Sequence, residues 1–302
     1  WGRLSSQAQT FDIDWEKPGA GGKLIVPFLG EPFEDLLAKG YVGLGFEADI
    51  GRFAVWYSDH CHPVSPLDYA GLLERAQVHD QQGADILHAL VTDFRDLRLW
   101  DAAEPATLLA RGASLRRQLA EACAASYALR IAIERVTADF PRNDLRSLCE
   151  RQAWRMTWWA DANRLINYRR FFDITSLAGV RVEDRGVFEA THRLIFDLVE
   201  QGRIHALRVD HVDGLADPAQ YLVRLQERVG PDFYIVVEKI LEPGEALRSW
   251  PVAGTTGYDA LTVLDALFFA NEALPVLDAV GERGLGQPLA ECDEIVDVVG
   301  VE

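Results

Sequence analysis

The sequence predicts a mixed α/β protein whose central part is a layer of parallel strands alternating with helices. Residues 187–241 read helix, strand, helix, strand in order, which is the succession a parallel layer requires. Two apolar strands in that stretch, 206–209 and 233–237, each lead straight into a carboxylate, Asp210 and Glu238, at the spacing of one β-α-β step. Ahead of them lie a β-rich segment and a long run of apolar residues recurring three and four apart.

Taken in order, residues 1–65 form the β-rich module. A strand is expected at 23–29, ended by Gly30, and two more at 41–48 and 52–57. Asp49, Ile50 and Gly51 join the latter pair, the glycine supplying the positive φ of a hairpin turn, so a small antiparallel module is expected. Residues 66–165 read as a helical insertion, with helices at 67–77, 82–93, 106–127 (interrupted near Gly112) and 143–165. Pro66 and Asn143 stand where helix starts are expected.

Residues 166–270 hold the layer itself. Its first stretch, 167–180, pairs two arginines with two phenylalanines and fits neither a clean helix nor a clean strand. It reads equally as a loop pinned by Phe171 and Phe172 in the core, or as a ligand-facing loop with Tyr168, Arg169 and Arg170 as polar contacts. A helix at 187–201 follows, with Phe188, Leu194, Ile195 and Leu198 as its apolar face and Gly202 as its stop. The strand ending at Asp210, a helix at 218–229 and the strand ending at Glu238 complete the layer. Gly254, Thr255, Thr256 and Gly257 make a tight polar loop without the lysine of a phosphate-cradling frame, and 261–269 reads as helical. Residues 271–302 form a helical or irregular tail, acidic at Asp293, Glu294 and Asp297.

Composition narrows the function classes. A net charge of −17 and a pI near 4.8 disfavour nucleic acid and anionic membrane surfaces as partners, whereas a neutral sugar feels no such field. The first residues do not read as a signal peptide, and no apolar run reaches the roughly 18 residues of a membrane helix. Cys61, Cys123, Cys149 and Cys292 are scattered, which predicts reduced thiols in a reducing cytosol and a cytoplasmic protein. His60, Cys61 and His62 are poorly spaced for one metal site, and no second ligand pair follows, so no metal is expected. The eight tryptophans beside a single methionine suit a sugar-binding cleft, although most of these rings are expected in the core.

The chemistry concentrates at 206–215. Arg208 and Asp210 share one face of their strand while Leu207 and Val209 point the other way. An arginine in that position favours the ionised form of a neighbouring carboxylate, as a nucleophile or electrostatic stabiliser needs. Asp213 and Gly214 then turn the chain out of the strand. The apolar approach Ile235, Val236, Val237 is expected to raise the pKa of Glu238, so that the two carboxylates are set apart in strength.

At Arg208-Val209-Asp210-His211-Val212-Asp213-Gly214-Leu215 and Val237-Glu238-Lys239-Ile240-Leu241 the sequence resembles the alpha-amylase superfamily of glycoside hydrolases and transglycosylases. Tyr168-Arg169-Arg170-Phe171-Phe172-Asp173, residues 179–183 with 188–192, and 250–259 carry a resemblance to its trehalose-forming branch. The resemblance is strong over 167–262, looser over 11–70 and faint over the last thirty residues. It implies a partial (β/α)8 TIM-barrel catalytic domain, with the β-rich module and the helical insertion set into it and the site at the C-terminal strand ends. By the superfamily pattern Asp210 is the nucleophile and Glu238 the acid/base of a retaining pair about 5 Å apart. Arg208, His211, Asp213, Lys239, Tyr168, Arg169, Arg170, Thr255, Thr256 and Tyr258 are the implied substrate-binding residues.

The implied reaction moves the reducing-end α-1,4 link of a maltooligosaccharide to an α,α-1,1 link, without a cofactor, beside a trehalose-releasing hydrolase in the same pathway. Two superfamily features are missing: the aspartate and Asn-His pair of the third strand, and the third aspartate near the seventh. Only about three of the eight strands are readable, which implies a partial chain. Three alternatives stand beside this reading: an α-glucan hydrolase or 4-α-glucanotransferase on the same scaffold, an inactive carbohydrate-binding module, and a purely structural ion-pair network at Arg208, Asp210 and Glu238.

Overall fold

The computed structural model describes residues 1–79, 81–97, 104–242, 244–268, 270 and 273–285. The chain divides into two compact units, Trp1–Ala190 and Thr191–Glu302. Both are mixed α/β and are taken one at a time. Among the described residues no helix is long and apolar enough to cross a membrane.

The first unit opens irregularly and then forms β1 (Leu24–Leu29), α1 (Phe33–Lys39), β2 (Val42–Glu47), β3 (Arg52–Tyr57) and β4 (His60–Pro63). Helices α2 (Tyr69–Leu73), α3 (Gln81–Asp96), α4 (Pro105–Ala125), α5 (Tyr127–Ala138) and α6 (Arg142–Arg151) follow. Then come β5 (Trp154–Trp158), α7 (Ala162–Leu165), β6 (Arg170–Phe171) and β7 (Ile174–Ala178). The division falls within α8 (Arg185–Glu200).

Strands β2, β3 and β4 make the antiparallel sheet that the turn chemistry anticipates, with Gly51 left-handed at φ 57° in the connection. β1 does not join them. It pairs in parallel with β5, Leu24 opposite Trp154 and Leu29 opposite Trp158. The register slips between Val26 and Leu29, where Pro27 has no N–H to give the ladder. One apolar cluster, including Leu29, Phe53, Tyr69, Phe94, Leu115 and Leu129, joins the small sheets to the helices.

Asn167 fastens the N-terminal segment to this framework. Its side-chain oxygen accepts the Ile25 N–H at 3.0 Å, and its amide donates to the carbonyls of Asp14 at 3.0 Å and Lys23 at 2.9 Å. A buried primary amide can satisfy three backbone groups at once, which no apolar residue of that size does.

The second unit holds β8 (Ala206–Val209), α9 (Pro218–Val229), β9 (Tyr234–Val237), β10 (Gly254–Thr255), α10 (Tyr258–Ala266) and α11 (Leu274–Leu285). Its sheet runs β10-β9-β8, parallel throughout, with Arg208 opposite Val236 and Val209 opposite Val237. α9 begins where the sequence places it. The Asp217 side chain accepts the Gln220 N–H at 2.9 Å, and Pro218 fills the first helical position. Val212, Leu222 and Val237 are fully buried, with Tyr221, Leu247 and Trp250 packed around them.

Several expectations need correction. Residues 143–165 are not one helix: α6 ends at Arg151, and Trp154–Trp158 is the strand β5, whose bulky residues alternate with Arg155 and suit a pleated edge better than a helix face. α4 runs through Gly112 without a break, and a Cβ at that position would lie 2.6 Å from the Trp1 ring. Residues 167–180 contain a short hairpin, β6 with β7, turned at Phe172 in the left-handed region. Phe171 and Phe172 are exposed rather than pinned in the core, and pack edge-to-face on each other at 4.6 Å. On α8, Leu194 is 70% exposed, and the buried positions include His192 and Phe196 instead. Cys292 and the acidic residues Asp293, Glu294 and Asp297 lie outside the described residues.

Candidate active site

The parallel register of the second unit decides where its carboxylates stand. Val209 and Val237 are partners, so the next residue of each strand, Asp210 and Glu238, leaves the sheet beside the other. The Glu238 N–H donates to the Val209 carbonyl at 2.7 Å and carries the ladder one step further. Arg208, two residues before Asp210, lies on its face. A single guanidinium nitrogen, Nη2, is 2.5 Å from Asp210 Oδ1 and 3.0 Å from Glu238 Oε1.

Two further donors reach Glu238. His211 sits in the left-handed region at φ 49° and ψ 44°, which a histidine adopts at a cost of about 1–2 kcal/mol. That conformation aims its backbone N–H at Glu238 Oε2, 3.1 Å away. The Tyr258 hydroxyl donates to Glu238 Oε1 at 3.3 Å. The His211 amide first, then the Asp210 side chain, the Arg208 guanidinium and the Tyr258 hydroxyl hold Glu238 below the ordinary carboxylate value; burial opposes them and loses. The apolar approach of β9 therefore does not raise this pKa as expected. Ile235 and Val237 bury their own side chains, while the Glu238 carboxylate lies among donors at the strand end.

Lys239 ties the two strand-end loops together, with Nζ 3.2 Å from Asp213 Oδ2 and 3.3 Å from Glu245 Oε1. These two partners raise its pKa, and the Glu242 amide followed by Lys239 lowers that of Glu245. Sequence reasoning passed over Glu245, and nothing in its neighbourhood marks it before the loop is folded. Thr255 Oγ1 accepts the Gly257 N–H at 3.2 Å, and the Thr256 N–H donates to the Val237 carbonyl at 3.0 Å. His192, on α8, shares a 2.8 Å hydrogen bond with the hydroxyl of Tyr221 on α9, whose pKa burial pushes up to about 12.

The other three sequence candidates belong to the first unit. Tyr168 donates its hydroxyl to the Thr175 carbonyl at 2.7 Å, and burial pushes its pKa up to about 12. Arg169 is held by Asp12 at 2.9 Å and Glu183 at 3.3 Å, which binds the hairpin to the N-terminal segment. Arg170 contacts Asp173 at 2.8 Å and Asn163 at 3.4 Å. His60, Cys61 and His62 lie on β4, where burial and then His60 push the His62 pKa down to about 4. Among the described residues no group of three or more His, Cys, Asp and Glu side chains is arranged to hold a metal ion.

No family model matches the chain. Over 134 residues, 44% of the chain, it is 51% identical to a putative maltooligosyl trehalose synthase of Mycobacterium tuberculosis. The chain resembles one part of maltooligosyltrehalose synthase. The solved structure of that enzyme from Arthrobacter ramosus superimposes on 96% of the chain with a TM-score of 0.58 at 28% identity, using 28% of its own length. A hypothetical maltooligosyl trehalose synthase of Sulfolobus tokodaii matches 98% of the chain with a TM-score of 0.56 at 25% identity, again over 28% of its length. The stretch matched to the mycobacterial synthase is 17% of that protein.

Proposed function

We propose that this chain is part of an enzyme that converts the reducing-end α-1,4 linkage of maltooligosaccharides into an α,α-1,1 linkage by double displacement. The observation that carries the reading is the single guanidinium nitrogen bonded to two carboxylates at neighbouring parallel strand ends. Oxygens at 2.5 and 3.0 Å from one nitrogen fall inside the about 5.5 Å of a retaining pair and short of the about 6.5–9.5 Å that an inverting pair leaves for water. The named relatives support the reaction class, and the parallel β8-β9-β10 order supports a partial (β/α)8 barrel in which β8 and β9 are the fourth and fifth strands.

In this mechanism Asp210 attacks the anomeric carbon of the penultimate glucose while Glu238 gives its proton to the departing oxygen. The released glucose turns within the site and presents its anomeric hydroxyl. Glu238, now a carboxylate, takes the proton of that anomeric hydroxyl as its oxygen displaces Asp210, while the proton given earlier stays on the former linkage oxygen. No atom is gained or lost, so the overall change is an isomerisation. Glu238 needs its proton at the start, and the exclusion of water by bound glucan, which strengthens the one influence that already opposes its ionisation, raises its pKa for that step. Arg208 holds both carboxylates in line, and Tyr258, His211, Asp213, Lys239, Thr255 and Thr256 line the sugar's approach. Tyr168, Arg169 and Arg170 serve substrate binding through the hairpin they anchor. A hydrolase that removes the terminal disaccharide is the consumer such a product calls for.

Asp210 is 63% exposed, and open access of water favours hydrolysis on the same machinery as the second reading. Maltopentaose incubation separates them. Loss of reducing ends without glucose release is expected; rising reducing ends make the protein a hydrolase, and no change at all removes activity from this chain by itself. Asp210→Asn and Glu238→Gln are each expected to lower the rate at least about a hundredfold, and an undiminished rate in either sinks its role.

A further inference from the structure

The first unit presents a second set of side chains that the Arg208 group does not use. β1 and β5 are parallel partners with Leu29 opposite Trp158, so both strands end at one edge. Gly30, the next residue after β1, is held through both its polar backbone groups by aromatic side chains. Its N–H donates to the Tyr57 hydroxyl at 3.0 Å, and its carbonyl accepts the Trp158 indole N–H at 3.1 Å. Trp158 is thereby fixed in orientation although 36% of it is exposed, and its neighbour Trp159 is 62% exposed. The two rings stand 6.5 Å apart with their planes at 75°.

The turn that follows is polar. Arg164 bonds Asp161 at 2.9 Å, and Asn163 accepts from Arg170 at 3.4 Å. Aromatic faces beside a fringe of donors and acceptors are what a pyranose ring meets well, since its C–H face stacks and its edge hydroxyls hydrogen-bond. The net charge of −17 sets this surface against anionic ligands and leaves neutral sugars unaffected. A ring already fixed in the free protein loses little freedom on binding. The angle between the rings also selects a linkage. A β-1,4 chain is a flat ribbon that wants coplanar platforms, whereas an α-1,4 chain turns from each ring to the next.

We propose that Trp158 and Trp159 form a stacking platform for an α-1,4-glucan, a binding subsite made of residues other than those of the Arg208, Asp210 and Glu238 group. The ligand class rests on the function proposed above.

The test uses the full chain carrying Glu238→Gln, labelled with 5-fluorotryptophan and titrated with maltopentaose, with cellopentaose as the flat control. Trp158→Phe and Trp159→Phe assign the two fluorine resonances. Both are expected to shift with maltopentaose and to stay in place with cellopentaose. Trp159→Ala is expected to weaken maltopentaose binding roughly tenfold, while Trp159→Phe keeps most of the affinity. Because Trp159 is exposed, the remaining fluorine signals verify that each variant is folded. Stationary Trp158 and Trp159 signals, or an unchanged affinity in Trp159→Ala, overturn the platform, and equal shifts with cellopentaose overturn the linkage. Those failures leave the conversion of maltopentaose and its loss in Glu238→Gln untouched. A Glu238→Gln chain that still converts its substrate sinks the proposed function and leaves the platform standing.

Discussion

Gly214→Ala probes how the candidate site is held together. A Cβ built at Gly214 would lie 2.3 Å from both Cδ2 and Nε2 of the His211 ring, where ordinary contact begins near 3.4 Å. The ring must therefore retreat by more than about 1 Å, and it stands on a residue already in the left-handed region. Overpacking of this kind costs about 1–3 kcal/mol. The displacement also pulls on the His211 amide, the strongest influence holding Glu238 ionised, so the Glu238 pKa is expected to rise towards 4.5. Urea unfolding read from the amide signals of β8 and β9 gives the stability change, and carbon-detected titration of Glu238 gives the pKa. His211→Ala removes the clashing ring, so Gly214→Ala in that background is expected to cost nothing further. A full penalty in the double variant, or an unmoved Glu238 in the single one, refutes the reasoning.

Three more outcomes are expected. Glu238 and Glu245 both titrate below 4.5 in the folded chain, so the stability they contribute is fully present above pH 4.5 and is lost as the pH falls through their folded values; Glu238→Gln should therefore narrow its stability difference from the parent chain on acidification, and a gap that widens contradicts the sign. Asn167→Ala strips partners from one backbone amide and two carbonyls and is expected to cost about 3 kcal/mol in a denaturant melt of the first unit, whereas a loss below about 1 kcal/mol means that water replaces those bonds. Lys239→Met should move the Glu245 titration midpoint up towards 4.5 while Lys239→Arg leaves it low, and a Glu245 indifferent to both shows that its own Glu242 amide suffices.

The strand, helix and turn chemistry around the site was legible because it is local. Apolar alternation marks β8 and β9, Asp217 and Pro218 mark the start of α9, and Gly51 marks the turn between β2 and β3. The pairing of β1 with β5 was not legible, because more than a hundred residues separate the partners and no local periodicity encodes a distant one. The strand character of β5 itself was masked by the helical pattern of α6 just before it.

The placement of Arg208 and Asp210 on one strand face, two residues apart, followed from the sequence alone, since a pleat repeats every second residue. The charge state of Glu238 did not. It depends on a left-handed His211 amide, on a Tyr258 hydroxyl twenty positions downstream and on an arginine shared with the neighbouring strand, and only the folded chain brings these donors together. Burial was the one influence on Glu238 that its own strand could announce, and at the open end of a parallel sheet hydrogen bonds outweigh it.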